Sequence, residues 1–198
     1  METTAKKIST EERLTQEFET ARPALSGAGN EYFENLRQEA FRHFQNLGIP
    51  DRKNEEWKYT NIRKVFNQGF ELQTVGGKAS KSLLDKVQIP SLESNTLVIS
   101  NGKIDWENSS VVEFEVKLLS EAYPENKEFF SRYFSKIART ESSALEALNT
   151  ALFAEGAFVR IKGNIEKPLH IVHSIDNEKT FINSRIFLAL EKTLLRKS

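Results

Sequence analysis

A chain of 198 residues can form one domain or two small ones, and it is long enough to bury a substantial core. Its 28 basic and 28 acidic side chains cancel, which argues against attraction by net charge to nucleic acid or to an anionic membrane. The absence of cysteine excludes disulfides, thiolate metal sites, cysteine nucleophiles and iron–sulfur clusters held by the chain's own thiolates.

The first residues are charged rather than apolar, so no secretory signal is predicted. No run approaches the roughly 20 apolar residues that a membrane-spanning helix needs. We therefore expect a soluble, cytoplasmic protein that binds neither membrane nor nucleic acid.

The first predicted element is a helix that begins at Ser9 and ends near Ala21. Ser9 and Glu12 have the spacing of a capping box, in which each side chain satisfies a free backbone amide of the helix start. The apolar residues Leu14 and Phe18 form only a narrow stripe. Because a Gly-rich segment follows, we interpret residues 1–28 as a loosely docked helical arm.

A longer helix is predicted from Asn30, a good N-cap, to the helix-stopping Gly48 and Pro50. One face carries apolar residues at helical spacing: Phe33, Leu36, Ala40, Phe44 and Leu47. A charged turn follows, in which Trp57 and Tyr59 stand beside two acids and a lysine. We interpret the two rings as anchors that hold this turn against the long helix.

Glu55 and Glu56 in that turn are the nearest approach to a catalytic acid and base. Neighbours in sequence seldom converge on one substrate atom, and Lys58 is close enough to neutralise one of them. We therefore favour a solvated turn over an active site.

The middle of the chain alternates between helix and strand patterns. Ile62, Val65 and Phe66 indicate a short helix, and Asn101-Gly102 is a strong type I′ turn signal between two strand-like runs. A further strand is predicted over 111–116 and helices over 125–138 and 142–153, the last with Leu145, Leu148 and Leu152 on one face and Gly156 at its end. Residues 29–155 are thus a helical region with a β-hairpin around 96–106.

Residues 156–198 carry three strand-like runs, over 157–161, 168–175 and 181–190, separated by polar turns. Their near-regular spacing suits a stacked β-solenoid or the start of a sandwich. The predicted fold class is therefore α+β.

Three histidines are the only candidates for a metal site: His43, His170 and His173. Positions three apart in a strand point to opposite faces, so His170 and His173 are not expected to chelate one ion. Gly76-Gly77-Lys78 lacks the spacing of a phosphate-binding loop, and no serine lies in a nucleophile elbow. The basic and aromatic residues between Phe130 and Arg139 are bracketed by acids, which favours a solvated helix over a nucleic-acid surface. We predict no catalytic, cofactor-binding or metal-binding residue and expect a non-enzyme.

Three motifs resemble the N-terminal portion of SufD, in the SufB/SufD family of the SUF iron–sulfur cluster assembly machinery. They occur in the family's order and read Leu47-Gly-Ile-Pro through Asn54-Glu-Glu-Trp-Lys-Tyr-Thr-Asn61, then Ala147-Leu-Asn-Thr-Ala-Leu-Phe-Ala-Glu-Gly-Ala-Phe158 and Lys167-Pro-Leu-His-Ile171. The tryptophan block is closer to SufD than to its paralogue SufB.

The resemblance implies a helical N-terminal region followed by the first strands of a right-handed parallel β-helix, and the role of a non-catalytic scaffold. It implies SufB and the SufC ATPase as partners of the full-length protein, with the iron–sulfur cluster as the product of the assembled complex and no cofactor on this chain. Family members continue for about as much chain again, so we expect a fragment or truncated form that self-associates through its exposed strands. No functional residue of the family carries over to residues 1–198.

Two other functions are consistent with the residues. One is a freestanding protein-interaction module with no role in cluster assembly. The other is a β-solenoid enzyme, which needs clustered carboxylates, whereas residues 158–190 supply only Glu166, Asp176 and Glu178, mostly in turns.

Overall fold

A computed structural model describes residues 8–137, 139–161 and 163–190. Within these ranges the α-helices are α1 (Thr10–Ala21), α2 (Glu31–Leu47), α3 (Ile62–Phe66), α4 (Lys81–Val87), α5 (Leu119–Ala122), α6 (Lys127–Tyr133) and α7 (Ala144–Leu152). The strands are β1 (Glu71–Leu72), β2 (Asn95–Ser100), β3 (Lys103–Ile104), β4 (Phe114–Leu118), β5 (Glu155–Ile161), β6 (Leu169–Ser174), β7 (Thr180–Phe181) and β8 (Ser184–Leu190). The chain is therefore α+β, as predicted.

The strands form three small sheets, with the orders β1-β7, β3-β2-β6 and β4-β5-β8. Hairpin partners β2 and β3, and the pair β4 and β5, run antiparallel. In the other pairs, β1 with β7, β2 with β6 and β5 with β8, the strands run parallel. Parallel partners need a long connection, so each of these pairs joins segments distant in sequence.

The described residues divide into two compact units. The helical unit comprises residues 8–72, Ser135–Leu152 and Lys179–Phe181, and the sheet unit comprises Gln73–Phe134, Phe153–Glu178 and residues 182–190. Both units are assembled from separated stretches of the chain. The predicted boundaries after residues 28 and 155 stay a prediction.

Helix α1 begins at the predicted capping box: the Glu12 amide donates to Ser9 Oγ at 3.0 Å and the Ser9 amide to Glu12 Oε2 at 2.7 Å. The expectation of a loosely docked helix is wrong, because Leu14 and Phe18 are only 1% and 2% exposed. Phe18 stacks on Phe41 of α2 with ring centroids 4.1 Å apart. These two side chains anchor α1 in the core cluster of the helical unit.

Helix α2 begins at the predicted cap, where Asn30 Oδ1 accepts the Tyr32 amide. Its buried residues are Phe33, Arg37, Ala40, Phe41 and Phe44. The predicted face was shifted, since Leu36 is partly exposed and Leu47 is 44% exposed. The core cluster of the helical unit takes in Phe41 and Phe44 of α2 together with Leu148 and Leu152 of α7, on the face predicted for α7.

Two predicted element ends are wrong. The helix predicted over 125–138 is shorter, because α6 spans only Lys127–Tyr133; residue 138 lies outside the described residues. Gly156 does not end α7, which stops at Leu152, but lies inside β5. A Cβ at position 156 would overlap the backbone carbonyl oxygen of Arg185, so glycine is required there for the close approach of β8.

In the sheet unit, the hairpin around 96–106 forms as predicted. Asn101 and Gly102 have φ values of +49° and +87°, the two positive angles that a type I′ turn requires. The strand predicted over 111–116 is displaced to β4, and the run over 181–190 is divided into β7 and β8, with buried Asn183 between them. Local patterns thus located these strands but not their limits.

Candidate interaction surface

The outermost strands of the two three-stranded sheets, β6 and β8, both follow β5 along the chain. The chain leaves the β4-β5-β8 sheet at Ile161, forms β6 in the other sheet and returns as β8, parallel to β5. Among the described residues, no strand pairs with the outer edge of β6 or β8. Each edge therefore presents backbone donors and acceptors that another strand can use.

The side chains along these strands alternate between two faces. On the face shared with the unit's core, Ala157 and Val159 of β5 are fully buried. Their partners in β8 are more exposed: Ile186 opposite Ala157 is partly exposed, and Leu188 opposite Val159 is 49% exposed. The outer strand therefore leaves its core-facing side chains incompletely covered.

The same contrast holds between β2 and β6. Leu97 and Ile99 of β2 are 0% and 2% exposed. Of their partners in β6, Ile171 is partly exposed and His173 is exposed. We call the core-facing row of the two outer strands the open row. It consists of Ile171, His173, Ile186, Leu188 and Leu190, the last 76% exposed.

Polar side chains fix the start of β6 in register with β2. Asn95, which is 1% exposed, donates to Glu113 Oε2 at 2.6 Å and accepts the amides of Val112 and Glu113 at its Oδ1. The Glu113 carboxylate also accepts the amides of Glu166 and Lys167 at 3.1 and 3.0 Å. The Asn95 hydrogen bond, together with those two amides, lowers the pKa of Glu113.

A second polar contact joins the ends of the same two strands. Asn101 Nδ2 donates to Asp176 Oδ1 at 2.6 Å, and the Asp176 amide donates to Asn101 Oδ1 at 3.2 Å. The turn after β2 and the turn after β6 are thus stacked. Side chains at both ends of the pair position the edge strand.

Aromatic rings cover the other face of the β4-β5-β8 sheet. Phe187 of β8 lies 5.1–5.8 Å, centroid to centroid, from four other phenylalanine rings: Phe129, Phe130, Phe134 and Phe158. The guanidinium of Arg185 lies over the rings of Phe134 and Phe153 at 5.5 and 5.2 Å. Phe130 and Phe134 are 0% and 4% exposed, so the predicted apolar face of this segment belongs to the core of the sheet unit.

The turn with two aromatic residues differs from its prediction. Its Glu55–Trp57 segment is a 3₁₀ turn, in which both acids are exposed. Trp57 is partly exposed, and Tyr59 is 92% exposed. Tyr59 is therefore not an anchor, and the prediction is wrong for it. Its ring instead lies 5.6 Å from the Lys58 ammonium.

The three histidines do not come together. His170 lines a cavity with Val172, whereas His173 belongs to the open row on the opposite face of β6. His43 lies in the helical unit, where Nδ1 is 3.0 Å from Thr140 Oγ1. In residues 8–137, 139–161 and 163–190, no three His, Asp or Glu side chains are grouped closely enough to hold a metal ion.

The glycine pair before Lys78 also has a structural role. A Cβ at Gly76 would stand 2.9 Å from Lys103 Cβ, and the Lys78 ammonium is 2.7 Å from both carboxylate oxygens of Glu107. Behind it, the Asp105 carboxylate accepts the Ala79 amide at 2.9 Å and Asn108 Nδ2 at 2.7 Å. Burial acts to raise the pKa of Asp105, but these hydrogen bonds outweigh it, and the pKa is lowered.

The residues of the open row were not predicted from the sequence, although the apolar run at 186–190 was a signal for part of it. It missed Asn95, Glu113 and Asp105 because the partners of their side chains are set by the fold. Of the described helices, none has both the length and the apolar character to cross a bilayer.

The model of the family described as "SufBD protein N-terminal region" matches residues 8–171. Among curated proteins, no match was found.

Proposed function

Because this chain belongs to the SufB/SufD family, we propose that it is a non-catalytic scaffold subunit, or part of one, of the SUF iron–sulfur cluster assembly machinery. The match to the family's N-terminal region over most of the chain carries this proposal. Involvement in iron–sulfur assembly follows from the family, and the scaffold role is the more specific inference.

Within the family, we infer SufD rather than SufB. The support is the Glu-Glu-Trp-Lys-Tyr-Thr block at 55–60, which resembles SufD. Tyr59 in this block is exposed, and an exposed side chain adds little to stability. Packing within the chain therefore does not explain why this position holds a tyrosine.

The sheet unit supports the further inference that the chain enters a right-handed parallel β-helix. The path from β5 through β6 and β7 to β8, with β8 parallel to β5, has the form of one solenoid coil. Parallel crossovers are right-handed in nearly all proteins. The open row is then the face on which the next coil stacks.

For the full-length protein we propose SufB and the SufC ATPase as partners, with the cluster formed by the assembled complex. The chain has no cysteine to hold a cluster by thiolates. The open row also supports self-association of the 198-residue chain, because it offers apolar side chains beside strand edges with which no described strand pairs.

Co-purification tests the function directly. The reading frame that contains this chain is expressed with tagged SufC and with SufB, and we expect all three proteins in one complex. Recovery of neither partner would favour a freestanding interaction module.

Self-association is tested separately by sedimentation of the 198-residue chain. The Leu188→Lys variant should be more monomeric than the parent, and Val112→Lys, a change at an exposed position, is the control. A parent chain that is monomeric at tens of micromolar would contradict self-association.

A further inference from the structure

We propose that the sheet unit carries a binding site for a small organic cation, in the cavity between α4 and the face of the β3-β2-β6 sheet that lies away from the open row. The cavity measures about 220 Å³. Leu84 and Asp85 line it from α4, and His170 and Val172 line it from β6. It lies on the face of β6 opposite the open row.

The cavity has an apolar floor. Val172 is 6% exposed and packs with Ala79 and Val98, with Leu84 of α4 against the same cluster. A hydrocarbon body placed on this floor is removed from water, which favours binding by roughly 25 cal/mol for each Å² of apolar surface buried. The floor thus selects a ligand with an apolar part.

The charge at the rim selects a cation. Asp85 is exposed, and its carboxylate forms no ion pair or hydrogen bond with any of the residues that the structure describes. Two acids at other cavities are by contrast paired with bases: Glu34 with Arg22 at 2.9 Å, and Glu125 with Lys117 at 2.6 Å. The Asp85 carboxylate is therefore available to a positively charged ligand.

Further polar groups at the rim can receive the N–H groups of such a ligand. Asn108 Nδ2 is held by Asp105 Oδ2 at 2.7 Å, which leaves the amide oxygen as the group that Asn108 can offer. Ser110 supplies a hydroxyl and His170 an imidazole. One carboxylate with neutral acceptors around it matches an amidinium or ammonium group.

The size of the cavity limits the ligand. About 220 Å³ is the volume of roughly seven liquid water molecules. It is below the range of roughly 300–1,000 Å³ typical of sites for drug-sized molecules. A single ring with one cationic substituent fits, and benzamidine is a suitable probe.

The test is an amide chemical-shift titration of the 198-residue chain with benzamidine and with its neutral isostere benzamide. We expect saturable shifts in α4 and β6 with a millimolar dissociation constant for benzamidine. Benzamide should bind about fivefold more weakly, since an exposed ion pair contributes up to about that factor.

Asp85→Asn should weaken benzamidine binding by the same factor, to the level of benzamide. It removes an exposed charge, so its spectrum should otherwise match that of the parent. The matched control is Asp51→Asn, a change at an exposed carboxylate in the helical unit, which should leave the affinity unchanged. Equal affinity for the two probes, shifts confined to other parts of the chain, or an Asp85→Asn variant that binds benzamidine like the parent would each overturn the proposal.

Discussion

Replacing Gly156 by alanine should destabilise the sheet unit. Gly156 lies in β5 directly opposite Arg185 of β8. An added methyl group would overlap the backbone carbonyl oxygen of Arg185 and stand 2.5 Å from Cδ1 of Leu119, which is itself fully buried. Because the nearest obstacle is backbone, no side-chain rotation can make room, and β5 and β8 must separate.

The expected loss follows from two opposing effects. Overpacking typically costs about 1–3 kcal/mol, and a clash with backbone belongs at the upper end. Replacing glycine by alanine also lowers the conformational entropy of the unfolded chain, which stabilises the folded state by about 0.4–1 kcal/mol. The net loss should be about 2 kcal/mol, or roughly 4–8 °C in Tm for a chain of this size.

Thermal and guanidinium unfolding followed by circular dichroism measure the loss. The control is Gly163→Ala in the same unit, where nothing lies within 4 Å of the added Cβ but φ is +82°. At Gly163 the only cost is the left-handed backbone conformation, which disfavours alanine by roughly 1–2 kcal/mol. The restriction of the unfolded chain by alanine offsets part of this cost, as it does at Gly156. A Gly156→Ala variant that is as stable as the parent, or more stable than Gly163→Ala, would refute the close-packing argument.

Three further predictions concern single side chains. Because the pKa values of Asp105 and Glu113 are lowered in the folded state, their carboxylates stabilise the fold above the unfolded pKa, near pH 4, and this stability is lost as pH falls. Asp105→Asn should therefore flatten acid unfolding below pH 4, and an unchanged pH slope contradicts this. Tyr59→Ala should change the unfolding free energy by less than about 0.5 kcal/mol, since the ring is 92% exposed, while Trp57→Ala should cost more; a larger loss at Tyr59 would show that its exposure is not as described. Phe187→Ala should cost about 3 kcal/mol in urea denaturation, because the ring contacts four other phenylalanine rings; a loss below 1 kcal/mol would mean that this cluster adds little.

Local signals in the sequence were sufficient for several elements. The capping box at Ser9, the cap at Asn30 and the Asn101-Gly102 turn each act through neighbours within a few residues. Helical periodicity located α2 and α7 for the same reason, although it displaced the buried face of α2 because it did not include Arg37. Motif order indicated the family, which the match over residues 8–171 confirmed at the level of SufB/SufD.

The sequence by itself determined the class of the fold, the main turns and caps, and the family, because those depend on residues close together in the chain. Only the tertiary structure decided that β2 pairs with β6 and β5 with β8, since a strand's hydrophobic pattern does not name its distant partner. That pairing turned Gly156 from a presumed helix end into a close-packing residue. It also left Leu188 and Leu190 incompletely covered and placed Asp85 beside His170 at one cavity. Such features come from contacts between segments far apart in sequence, and no local pattern encodes them.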